Sequence, residues 1–137
     1  MDSFIKYDTN KHKHIETKIL FNFASHYEDV NDKKNTIKYY LQAIENNCVE
    51  AMFNFALFHE NNKNTKEMIK YYLMAIKHGC IESMYNLAYY YYKANNPKKM
   101  KKYCLMSINN GDKKGGLLLF HYCENIEKLK IKVIRSK

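Results

Sequence analysis

Apolar residues recur at three- and four-residue steps along most of the chain, and asparagine-rich polar clusters interrupt them at regular distances. From Val49 to Asn61, the positions Met52, Phe55, Ala56 and His59 fall at helical spacing before Asn61-Asn62-Lys63-Asn64 breaks the pattern. Thr65 then offers an N-cap, and Met68, Ile69, Tyr72, Ala75 and Ile76 repeat at the same intervals as far as Gly79. The predicted unit is a helix, a short turn and a second helix. With one proline and four glycines in 137 residues, the chain has too little punctuation for a turn-rich all-β sandwich, and long helices are favoured.

The unit repeats. Lys38-Tyr39-Tyr40-Leu41 overlays Lys70-Tyr71-Tyr72-Leu73 and Lys102-Tyr103-Cys104-Leu105 at a step of 32 residues. The same step takes Phe21-Asn22-Phe23-Ala24 to Phe53-Asn54-Phe55-Ala56 and to Tyr85-Asn86-Leu87-Ala88. It also aligns Asn47, Gly79 and Gly111, residues that accept the left-handed backbone ending a helix. A single helix pair of this size cannot bury its apolar faces, so neighbouring pairs must stack. The expected fold is therefore all-α, an α-solenoid of antiparallel helix hairpins with a 32-residue period. An N-terminal arm (1–14) precedes an array over 15–134, with units at about 17–48, 49–80 and 81–112, and a basic tail follows at 135–137. The fourth unit, 113–134, is expected to be a degenerate hairpin acting as a cap, because Gly115-Gly116 replaces Ala51-Met52 and Ser83-Met84 there.

The pattern of Glu50-Ala51-Met52, Asn54-Phe55-Ala56 and Tyr71-Tyr72-Leu73-Met74-Ala75-Ile76 resembles Sel1-like repeats, a branch of the tetratricopeptide-like helical solenoids. The chain departs from Sel1-like units in its polar Asn61-Asn62-Lys63-Asn64 loop, which is not glycine-rich, and in a period nearer tetratricopeptide length. Met68 and Met100 stand where the tetratricopeptide pattern places a small alanine. The composition further resembles that of repeat proteins from A/T-rich giant DNA viruses: 22 of the 23 basic residues are lysine, asparagine and tyrosine abound, and tryptophan is absent. The resemblance implies a non-catalytic interaction scaffold whose groove, lined by the first helix of each hairpin, holds a protein segment.

In register, that face carries Phe21, Phe53, Tyr85 and Leu117 in one row and Glu28, Glu60, Tyr92 and Glu124 in another, with Ser25, Leu57, Tyr89 and His121 between them. Aromatic anchors edged by carboxylates suit an amphipathic or basic peptide. The Phe21 row is equally consistent with core, whereas Tyr89 to Tyr92 spans every face of a helix and cannot be wholly buried. Asn22, Asn54 and Asn86 recur at one position, either satisfying buried backbone or forming a ladder for a ligand's main chain.

Charge changes the picture only in part, since A/T-rich codons account for some of the lysine. The formal net charge is +9, yet residues 1–64 hold 8 lysines against 9 acids and residues 65–137 hold 15 basic groups against 5 acids. Lys98, Lys99, Lys101, Lys102, Lys113 and Lys114 are candidates for an anionic contact, to nucleic acid or an anionic surface, as an alternative to solvated helix faces. Arginine, the residue of bidentate base readout, is present only as Arg135.

No catalytic motif is present: there is no Gly-x-Ser-x-Gly elbow, phosphate-binding glycine loop or His-Glu-x-x-His helix. Cys48, Cys80, Cys104 and Cys123 lack zinc-site spacing, and Cys48 and Cys80, at one repeat position, are expected as reduced thiols in a small apolar niche. Lysines flank His12 and His14 and disfavour a cation there, and His59 reads as a repeat-interface residue. No metal, cofactor or catalytic residue is expected. Met1-Asp2-Ser3-Phe4 lacks the start of a signal peptide and no run reaches the length of a membrane span, so a cytoplasmic protein is expected, in the host cytoplasm if viral.

Overall fold

Each repeat ends its two helices with a residue in the left-handed region. In the computed structural model, which describes residues 9–136, these are Asn31, Lys63 and Asn95 between the helices of a pair, with φ of 62°, 57° and 53°. Between pairs they are Asn47, Gly79 and Gly111, with φ of 60°, 82° and 87°. Both series step by 32 residues, so the period of the sequence is a period of the backbone. The helices among the described residues are α1 (Thr9–Asp29), α2 (Lys33–Glu45), α3 (Val49–Asn61), α4 (Thr65–Lys77), α5 (Ile81–Lys93), α6 (Pro97–Asn109) and α7 (Lys113–Arg135). The fold is all-α, and neighbouring helices pair as hairpins of the α-solenoid type.

The second helix of each pair starts at a cap on the same period. Asp32 accepts from the Asn35 N–H, Asn64 from the Glu67 N–H and Asn96 from the Lys99 N–H, with Pro97 as the first residue of α6. Asn64, one residue before the expected Thr65, is thus the cap of α4. Lys128 holds the equivalent place in the last unit, and its side chain has no oxygen to accept from the next turn. That substitution explains the main departure from expectation: the fourth unit is no hairpin, because without a cap or a left-handed residue near position 128 the helix runs on through 23 residues as α7. The arm and tail differ as well. Residues 1–8 and 137 lie outside the described residues, while Asn10 to His14 already form exposed turns of α1 and Arg135 closes α7.

The chain divides into two compact units, residues 1–71 and 72–137, with the division inside α4. In the first, Ala24, Ala43, Ala51 and Ala56 are fully buried, and the small side chains let Tyr40, Phe55, Met52 and Met68 fill the space between helices. Phe55 is the hub: its ring lies 5.3 Å from Tyr40, 4.6 Å from Tyr71 and 4.4 Å from the buried His59. In the second unit the core is Tyr72, Ala75, Met84, Leu87, Ala88, Met100 and Cys104. There α7 approaches α6 so closely that a Cβ on Gly115 would lie 2.9 Å from the Ser107 side chain and 3.0 Å from the Cys104 carbonyl oxygen. Glycine at the position of Ala51 and Ser83 is what permits this approach. Phe120, in register with the buried Ala24, Ala56 and Ala88, is 61% exposed, since no second helix folds back over α7 among the described residues.

Candidate functional site

Three tyrosines on α5 face the same way because they stand at i, i+4 and i+7. The rings of Tyr85, Tyr89 and Tyr92 form a stacked ladder with successive centroids 6.3 Å apart. Tyr89 is 43% exposed, while Tyr85 and Tyr92 are half-buried. The ladder is one wall of a cavity of about 500 Å³, and Lys114, Leu117, Leu118, His121 and Asn125 of α7 line the rest. Lys114 Nζ lies 5.8 Å from the Tyr85 ring centre, within reach of a cation–π contact. At the other end His121 Nδ1 is 3.8 Å from the Glu124 carboxylate, and Glu124 itself does not line the cavity.

The structure thus joins two sets that the sequence kept apart. Tyr85, Tyr89, Tyr92 and His121 share one cavity with Lys114, which the sequence offers as a candidate for anionic contact apart from the groove. Leu118 and Asn125 also line it, and the repeat register does not mark them as groove residues, because Leu118 breaks the asparagine row and Asn125 lies beyond the repeated blocks. In residues 1–71 the corresponding side chains are engaged differently. Phe21, half-buried, has its ring 6.4 Å from that of Tyr40, and Phe53 and Leu57 are half-buried too. Glu28 accepts a 2.7 Å hydrogen bond from the Tyr40 hydroxyl, and burial together with that carboxylate pushes the Tyr40 phenol well above its usual pKa. Glu60 is exposed.

The asparagine row does not serve a single purpose. Asn22 is exposed, Asn54 donates to the Glu50 carbonyl of its own helix, and Asn86 donates to the Tyr72 hydroxyl at 3.2 Å. Lys98, Lys99, Lys101, Lys102, Lys113 and Lys114 are all exposed, and four of them lie over rings: Lys99 over Tyr91 at 4.9 Å, Lys101 over Tyr122 at 5.6 Å, Lys102 over Tyr103 at 5.2 Å, and Lys114 as described.

Cysteine chemistry is quiet. All four thiols are free. Cys48 and Cys80 occupy the N-cap positions of α3 and α5 and are half-buried. The apolar niche expected for them is not found at Cys80, whose sulfur accepts from the Ser83 hydroxyl at 3.1 Å. Burial pushes the Cys48 and Cys104 thiols above their usual pKa, away from thiolate reactivity. His59 stacks on Tyr71 at 5.6 Å; burial lowers its pKa, with Glu67 opposing and Lys70 adding to the effect. Among the described residues no three His, Cys, Asp or Glu side chains group as a metal site, and no helix is long and apolar enough to cross a membrane.

A family model described as Tetratricopeptide repeat matches residues 49–77, which are α3, its turn and α4. No curated protein matches the chain. The match and the repeating hairpins together support a tetratricopeptide-like repeat protein, a class whose members generally mediate protein–protein interaction and are generally non-catalytic.

Proposed function

We propose that the protein is a non-catalytic scaffold that binds a segment of a partner protein along the face of its first helices. The observation that carries this reading is the partly exposed tyrosine ladder of α5 on the cavity shared with α7. Tyrosines offer large, rigid contact area at little entropic cost, and aromatic anchors dominate interface energetics. Within the tetratricopeptide-like class, the recurring alanines and asparagines support a Sel1-like subtype, the composition supports an origin among A/T-rich giant DNA viruses, and the setting proposed is the cytoplasm, the host's in that case.

The test is selection of binders from a displayed library of 12-residue peptides on the full chain, followed by titration against Tyr89→Ala. Loss of about 2 kcal/mol of binding is expected, as for an interface hot spot. Thermal melts should hardly move, because Tyr89 is 43% exposed. Selected peptides that bind Tyr89→Ala as tightly as the parent would refute the reading. A second reading, a basic binder of nucleic acid or anionic surfaces, draws on one observation: residues 72–137 hold 13 lysines and arginines against 4 acids, and so carry the chain's whole formal net charge of +9. Such binding would fall steeply with salt and would be lost on replacing Lys98, Lys99, Lys101 and Lys102 by glutamine.

A further inference from the structure

The charge at the α5–α7 cavity is opposite in sign to the one the carboxylate row of the sequence suggests. Its lining contains Lys114 and no carboxylate, Glu124 being turned to His121 outside it. It also belongs to the unit that carries the entire net positive charge. A basic peptide, which the carboxylate row would favour, would bring its cations toward Lys114 with no carboxylate in the lining to pair them.

We infer that the cavity takes a short, extended, acidic segment of a partner protein, with an apolar side chain against Tyr89 and Leu117 and a carboxylate at Lys114. This rests on the groove reading above and adds the partner's chemistry to it. Dimensions agree with it. Tyr85 to Tyr92 spans seven residues of α5, about 10 Å at the helical rise. Three residues of extended chain cover the same length. Lys114 marks the Tyr85 end, so the carboxylate falls about two residues from the apolar anchor, on the same side of an extended segment. The apolar contact has surface to bury: Leu117 is 63% and Tyr89 43% exposed.

The experiment uses the full chain and three fluorescein-labelled peptides, blocked at both ends so that no terminal charge contributes. They share a leucine and carry aspartate, glutamine or lysine two residues from it, with serine between and around them, so that both side chains face the same side of an extended segment. The aspartate peptide should bind about fivefold tighter than the glutamine peptide, the scale of one exposed charge pair, and the lysine peptide weakest. Lys114→Glu should invert the order, whereas the double variant Lys98→Gln, Lys101→Gln, on α6 and outside the cavity lining, should preserve it. If Tyr89→Ala weakens all three peptides but Lys114→Glu leaves their order unchanged, the groove stands and the acidic partner is wrong. If Tyr89→Ala weakens none, the groove reading itself fails. An order that follows Lys98 and Lys101 would reduce the effect to diffuse attraction and overturn the inference. So would Tyr89-dependent binding of a labelled single-stranded oligonucleotide in preference to the aspartate peptide.

Discussion

Adjacent glycines at the start of α7 should respond in opposite directions to the same substitution. In an ordinary helix, glycine to alanine is stabilising by up to about 1 kcal/mol, because the backbone loses less freedom on folding. Gly116→Ala should gain most of that, since the nearest atom to its added Cβ is Ile108 Cγ1 at 3.9 Å, an ordinary contact. At Gly115 the new methyl would lie 2.9 Å from Ser107 Cβ and Oγ and 3.0 Å from the Cys104 carbonyl oxygen. Two of these atoms have little freedom to yield. The carbonyl is helix backbone, and Ser107 Oγ is held by a 2.6 Å hydrogen bond to Asp112, the cap of α7. Overpacking of this kind costs about 1–3 kcal/mol, so it outweighs the propensity gain and leaves Gly115→Ala destabilised by about 1 kcal/mol. Urea and thermal melts of both variants read this directly, and for a chain of this length the shift is about 3–5 °C per kcal/mol. Equal stabilisation by both substitutions would show that α6 and α7 do not approach as described.

Other sites give independent readings. His59 is neutral and buried in the fold; the unfolded imidazole titrates near its usual 6.5 and the folded one below it. The unfolded chain therefore takes up the proton first, and stability is full above pH 6.5 and is lost as pH falls through 6.5 toward the folded value. His59→Phe should flatten the urea midpoint between pH 7.5 and 5, each on the order of one unit either side of an ordinary imidazole pKa. Lys63 holds a left-handed backbone with φ of 57°, so Lys63→Asn, the residue found at positions 31 and 95, should raise stability by about 0.5–1 kcal/mol in denaturant titrations. Tyr40→Phe removes the hydroxyl bonded to Glu28 and should cost about 1.5 kcal/mol; a double-mutant cycle with Glu28→Gln should show coupling of similar size.

The helices and their turns were legible because one signal stated three times outweighs local ambiguity. Apolar spacing and the asparagine-rich break after it bound Val49–Asn61 as the structure does, and Asn47, Gly79 and Gly111 adopt the left-handed backbone their residue types suggest. The turn inside each pair was harder to read, since Lys63 gives no chemical sign of a positive φ and only its alignment with Asn31 and Asn95 betrays it. The missing fourth hairpin is signalled by Lys128, which breaks the capping series Asp32, Asn64, Asn96 that the apolar pattern does not register. At the candidate site, register placed the tyrosines on one face but was blind to Lys114, whose position depends on how close α7 approaches α5. Nor could it show that Glu28 is engaged by Tyr40, a contact between residues twelve apart on different helices.

The uncapped run of α7 also sets a gradient of local stability along one helix. Gly115 and Leu118 are buried, whereas every residue from Glu127 to Ser136 is exposed. The last turns therefore have only bonds within their own helix to hold them, and isolated helix of that length is marginal in water. Amide hydrogens there should exchange by local fraying, independently of the rest, while those near Leu118 wait for a larger opening. A single lysine in place of a cap thus leaves the molecule with a helix whose two ends unfold on different timescales.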